Sequence, residues 1–167
     1  MSFDYHKAMA EGHEYNKFIG ELLRSYGVPN VDVPEFSIAT THDKIADKTK
    51  NEKDIIVDQL VLEVKSIAQT FTNADDFPYA LVIVDTVYGF DQKIIKPFAY
   101  IYVSQVTKET FVIPVSTRQY WTIATIFDHK RQIEVECYFV TKRHCRPLLE
   151  LIDILLERAH ERAGEMQ

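Results

Sequence analysis

Between Lys7 and Tyr26 apolar residues recur at intervals of three and four, at Tyr15, Phe18, Ile19, Leu22, Leu23 and Tyr26, the spacing of one face of an α-helix. Gly27 and Pro29 supply its stop. The pattern then changes. Residues 31–39 alternate weakly, as a first strand would, while THDKIADKTKNEK at 41–53 is charged enough to read as a solvated loop or a short irregular helix. Two β-branched runs, 54–57 and 60–67, precede the polar connection TNADDFP and the run ALVIVDTVY at 80–88, which reads as a buried strand.

A strand, a turn at 107–109 and a second strand account for residues 98–114. Ser116, Thr117, Arg118 and Gln119 make a capping-box pattern, which predicts a helix over 117–127 with Tyr120, Ile123, Ala124 and Phe127 on one face. Residues 132–140 read as a late strand. Arg146-Pro147 opens a last helix to about residue 162, because proline at a helix start loses no hydrogen bond. Its stripe Leu148, Leu151, Ile152, Leu155 is core or a dimer interface. No internal repeat is present, and the order of elements predicts an α/β fold in which helices flank a central mixed sheet.

Composition narrows the picture. With 167 residues, 46% hydrophobic and 12% aromatic, the chain fits a single domain, 1–167, with a real core, and only 5 glycines argue against a linker. No apolar run is long enough to span a bilayer, and MSFDYHKAMAEGHEY has neither a basic nor an apolar leader region, so a cytoplasmic protein without membrane attachment is expected. Cys137 and Cys145 lack a second pair, so reduced thiols are expected and the His144-Cys145 dipeptide has no ligand spacing behind it. A net charge of −6 weighs against a broad nucleic-acid-binding surface but leaves room for a local basic groove.

The stretch DIIVDQLVLEVKS at 54–66 carries the chemistry. If 54–57 and 60–65 form a hairpin about Asp58-Gln59, Ile55 faces Leu62, Ile56 faces Val61, and Asp54 lies opposite Glu63 with Cβ atoms roughly 5 Å apart. One face then carries Ile55, Val57, Leu60, Leu62 and Val64; the other carries Asp54, Glu63 and Lys65. Facing carboxylates repel, so the pair calls for Lys65 as a partner in a solvated ion pair, or for a divalent cation held by hard oxygens. Asp-Gln is not a favoured two-residue turn, and a three-residue loop would undo the facing pair.

An acid at the start of one strand and Glu63-Val64-Lys65 on the next, after the helix EGHEYNKFIGELLRSYG, resemble the PD-(D/E)xK nuclease superfamily, which includes type II restriction enzymes and archaeal Holliday-junction resolvases. The likeness covers roughly the first half of the chain. It implies a restriction-endonuclease-like core, here with an added strand pair, and metal-dependent hydrolysis of phosphodiester bonds in DNA. By the same resemblance Asp54 and Glu63 would bind Mg²⁺ or Mn²⁺ with the main-chain carbonyl of Val64. Lys65 would orient or help deprotonate the attacking water, and the first helix would donate a further acid, Glu11 or Glu14. N-terminal dipole complementarity explains those two acids equally well. Lys53 stands where the superfamily has its proline, and the next strong predicted helix comes late, after the extra strand pair.

Four further features enter as candidates. Asp85 ends a strand and is either solvated or supports the site. Trp121 and Tyr120 stack on a base or belong to the core. Lys142, Arg143, His144 and Arg146 form one compact basic cluster, either a solvated turn or a contact for a phosphate backbone. Cutting both strands of a duplex would call for a homodimer. The competing expectation is a non-catalytic interaction or structural protein on a nuclease-like fold, consistent with the acidic balance and the aromatic-rich second half.

Overall fold

A computed structural model of the chain describes residues 5–35 and 53–165. Positions 41–52 of the charged segment expected at 41–53, and positions 36–39 of the first expected strand, lie outside them. Helix α1 (Tyr5–Ser25) forms where the three-and-four spacing predicts it and buries Ile19 and Leu23 completely. Gly27, at φ +89°, ends it in a conformation that costs glycine little, and the Val28 N–H returns to the Leu23 carbonyl at 3.1 Å.

The strands in chain order are β1 (Val31–Asp32), β2 (Ile55–Val57), β3 (Leu60–Ile67), β4 (Leu81–Thr86), β5 (Ala99–Ser104), β6 (Thr110–Pro114), β7 (Thr122–Asp128) and β8 (Ile133–Thr141). A short helix α2 (Val87–Gln92) follows β4, and α3 (Leu148–Glu165) closes the described chain. A five-stranded mixed sheet has the order β1-β2-β3-β5-β6, with β3 and β5 parallel and the other pairs antiparallel. A parallel pair needs a long crossover, and here it carries β4 and α2.

The strand pair expected at 98–114 forms as β5 and β6 of the five-stranded sheet, and beside it lies a second, three-stranded antiparallel sheet ordered β4-β8-β7. On one face of the large sheet Leu62, Ile101 and Val112 pack against Ile19 and Leu23 of α1 and Leu151, Ile152 and Leu155 of α3. On the other face Tyr100, Tyr102, Phe111 and Ile113 meet Val82 and Val84 of β4, Phe90 of α2 and the aromatics Phe71 and Phe77. β5 is buried along its whole length, which is why AYIYVS does not alternate. Each such buried aliphatic contributes roughly 1.5–3 kcal/mol.

Two expectations are corrected. Residues 117–127 are not an α-helix: one 3-10 turn (Val115–Tyr120) leads into β7. The capping box does not form, since Thr117 donates its hydroxyl to the Pro114 carbonyl. The run TIATIF, rich in β-branched residues, pairs with β8 from Thr122↔Phe139 to Asp128↔Ile133. Likewise β4 is half-buried. It ends its sheet, and Val82 and Val84 point inward while Leu81 and Ile83 are 45% and 39% exposed. Among the described residues no helix is long and apolar enough to cross a membrane.

Candidate active site

The hairpin has the register that the sequence predicts, with Ile55↔Leu62, Ile56↔Val61 and Val57↔Leu60 paired around a two-residue turn. Asp58 adopts φ +53°, which aspartate tolerates better than most residues. Its carboxylate takes the Asn30 amide at 2.8 Å and faces the Arg162 guanidinium at 3.4 Å, so outside partners hold a turn that Asp-Gln alone disfavours. The register puts Asp54, one place before β2, opposite Glu63.

Asp54 is held from two sides. Its Oδ2 accepts the Val64 N–H at 2.8 Å, and its Oδ1 accepts the Asn16 side-chain amide of α1 at 3.2 Å. The Asp54 side chain thus replaces the next rung of the ladder beyond Ile55. Val61 and Ile67 turn their carbonyls toward β5, so by alternation the Val64 carbonyl opens on the β2 side, beside Asp54.

One expectation for the polar face is a solvated surface; instead β4 and α2 roof it over. Glu63 is 7% exposed and Asp85, from β4, 8%. Burial first, then the Asp54 charge and a hydrogen bond between the two side chains, push Glu63 well above the ordinary carboxylate range; Lys93 and Lys65 pull the other way without cancelling this. Two facing carboxyl groups therefore lie at the centre of the site.

Lysines surround the acids. Lys93, just after α2, places its ammonium 3.7 Å from Glu63 Oε1 and 3.7 Å from Asp85 Oδ2. Lys65 lies 3.6 Å from Asp85 Oδ1 and over the Tyr100 ring, 5.9 Å from its centroid. Asp85 also accepts the Tyr100 hydroxyl at 2.7 Å and the Thr86 N–H at 2.8 Å. Burial alone would lower the Lys65 amine, but the carboxylates of Asp85, Glu63 and Asp54 outweigh it and hold it above the ordinary lysine range. A bare Gly89 is required at this point, because a Cβ there would come 2.7 Å from Thr86 Oγ1 and 3.0 Å from Asp85 Oδ1.

Of the residues singled out in the sequence, Asp54, Glu63, Val64, Lys65 and Asp85 come together. Glu11 and Glu14 do not join them. Both are exposed on α1, Glu11 4.0 Å from Lys7 and Glu14 3.4 Å from Lys17, and the α1 side chain that reaches Asp54 is Asn16. The basic cluster has structural partners: Lys142 donates to the Asp75 and Phe77 carbonyls, Arg146 pairs with Glu150 at 3.8 Å, and His144 stacks on Tyr120. Trp121 packs edge-on against Phe90 in the core. Cys137 and Cys145 are free and buried, and burial pushes the Cys145 thiol up to about 12. Lys93, Tyr100 and Asn16 carry no sequence signal of their own.

Two openings adjoin the cluster. One, of about 630 Å³, runs from Lys65 and Asp85 along β4. The other, of about 470 Å³, lies beside Ser66, between Glu11 and Gly12 of α1 and Asp128, Lys130 and Arg131 at the β7–β8 turn, and none of the charged side chains of the cluster lines it. Among the described residues no group of three or more His, Cys, Asp or Glu is placed to hold a metal. The donor set on offer is two facing carboxyls and the Val64 carbonyl, hard oxygens that suit Mg²⁺. No protein-family model, curated protein or solved structure matches the chain.

Proposed function

We propose that the protein is a metal-dependent nuclease that hydrolyses phosphodiester bonds in DNA, on a restriction-endonuclease-like plan. The observation that carries this reading is the hairpin register that sets Asp54 opposite Glu63, with Lys65 on the same face of β3 as Glu63. Two facing acids, one of them buried, keep their charges only if a cation joins them. Mg²⁺ or Mn²⁺ held by Asp54, Glu63 and the Val64 carbonyl would acidify a water and offset charge on the phosphate.

The chain's own residues divide the remaining work. Asn16 and the Val64 N–H orient Asp54. Asp85, anchored by Tyr100, fixes Lys65, which stays protonated and so stabilises developing negative charge rather than removing a proton.

A second reading rests on one observation. The Lys93 ammonium already faces Glu63 and Asp85, so the cluster has an internal cation and is also consistent with a structural or interaction protein. Incubating the protein with duplex, branched and single-stranded DNA, with Mg²⁺ or Mn²⁺, and with Lys65→Ala as control, separates the two. Metal-dependent cleavage lost in Lys65→Ala supports the nuclease. Absent or metal-independent cleavage, with a thermal midpoint insensitive to Mg²⁺, rejects it in favour of the second reading.

A further inference from the structure

We propose that the cavity beside Lys65 receives one unpaired nucleobase, so that the preferred substrate is DNA with an unstacked nucleotide next to the bond to be cut. This rests on the nuclease reading and adds a substrate class to it. The cavity measures about 630 Å³, within the roughly 300–1,000 Å³ of small-ligand sites. Its polar end is formed by Lys65 and Asp85, so it is continuous with the candidate site.

The rest of the wall is apolar and in part exposed. Tyr79 is 60% exposed, Leu81 45% and Ile83 39%, and Phe139, cross-strand from Ile83, joins them. Edge strands usually carry charge or proline at such positions, because an apolar edge invites aggregation. Here three alternate positions are apolar and converge on the acid–lysine cluster. The Tyr79 ring packs edge-on against Phe77, ring centroids 5.9 Å apart.

A nucleobase matches this lining: its flat faces are apolar and its edge is polar, and Gln69 and Ser66 supply polar groups at the rim. A base in a continuous duplex is stacked on both sides and cannot enter a side pocket unless it leaves the stack. With the phosphate at Lys65, the base of that same nucleotide or its neighbour would occupy the β4 side. A polypeptide strand adding to the free β4 edge would use the backbone and would have no need of a cavity that ends on charged groups.

The test is binding in Ca²⁺, followed by fluorescence anisotropy, with a paired duplex, the same duplex with one unpaired nucleotide, and the same duplex with an abasic residue there. The unpaired base should improve affinity about tenfold over the other two, the size of one base–aromatic stack. The doubly substituted Tyr79→Ser, Ile83→Ser protein should lose that gain while melting as the wild type does, since both side chains are partly exposed. Equal affinity for all three DNAs, or a gain that survives the double substitution, overturns the proposal. Self-association abolished by Ile83→Lys, with no effect of the base, would assign the patch to a second copy and overturn it too. Cleavage without the base preference sinks this inference alone; the base preference without cleavage in Mg²⁺ or Mn²⁺ sinks the catalytic reading alone; no DNA binding sinks both.

Discussion

The Lys93 ammonium sits 3.7 Å from Glu63 Oε1, so a residue just after a helix of only six residues neutralises an acid on the central strand of the neighbouring sheet. The separation exceeds a direct hydrogen bond, and the contact is electrostatic. Both side chains are about nine-tenths buried, which makes the interaction stronger than a surface pair and also makes its loss expensive.

Lys93→Met, which keeps the stem and removes the charge, should lower stability by about 3 kcal/mol in the absence of divalent cations, the scale for unpairing a buried charge. Mg²⁺ should then raise the thermal midpoint more than it does in the wild type, because the acids have lost their internal cation. Urea unfolding with and without Mg²⁺ measures both effects. An unchanged metal response would mean that Lys93 and the cation do not compete.

Glu63 gives the protein a pH-dependent stability with a definite sign. Its folded value lies well above the 4.5 of an ordinary glutamate, so between those values the native state holds a proton that the unfolded chain has released. Stability from this group is therefore full below about 4.5 and falls as pH rises through the folded value. Glu63→Gln should flatten that fall, because it removes the group whose protonation differs between the folded and unfolded chains. Thermal midpoints taken from acid to neutral pH check this, and parallel curves for the two proteins would refute it.

Lys65 is held protonated by Asp85, Glu63 and Asp54, so its titration should not shape the pH dependence of cleavage near neutrality. Lys65→Ala should reduce cleavage by about 10²–10³, the scale for losing one group that stabilises developing charge. Isothermal titration should show Mg²⁺ binding retained. A rate that rises with pH in the wild type and loses that rise in Lys65→Ala would assign the lysine a proton-transfer role instead.

Much of this arrangement is legible in the chain because it is local. The α1 stripe, the Asp54–Glu63 register and the proline-initiated α3 depend on spacing within a few residues, and each forms as expected. What spacing cannot supply is the partner across a layer. Tyr120, Ile123, Ala124 and Phe127 fit a helical period and split between the two faces of a strand, yet the β8 pairing, and the weak helix preference of Thr122, Ile123, Thr125 and Ile126, make it a strand. Tyr100 reaches the site through the parallel β3–β5 pairing that sets it beside Glu63, and Lys93 because β4 and α2 fold across β3; neither long-range contact is encoded in a local period.

The α1 contribution shows the same limit at single-residue scale and yields the last prediction. A helix turns 100° per residue, so with Ile19 and Leu23 facing the core, Asn16 lies on the flank nearest β3, whereas Glu11 and Glu14 face solvent. Asn16→Ala leaves Asp54 Oδ1 without its amide and frees the carboxylate to turn away from Glu63. Cleavage should fall about tenfold, while stability falls by only about 1 kcal/mol, the net worth of one hydrogen bond. Glu11→Gln and Glu14→Gln should change neither, because each gives up only an exposed pair with a lysine of its own helix. Measuring kcat beside urea midpoints for the three variants distinguishes the cases. If Glu14→Gln abolished cleavage and Asn16→Ala did not affect it, the helix would have to rotate or bend toward Asp54 when substrate binds, and the role given to Asn16 would fall.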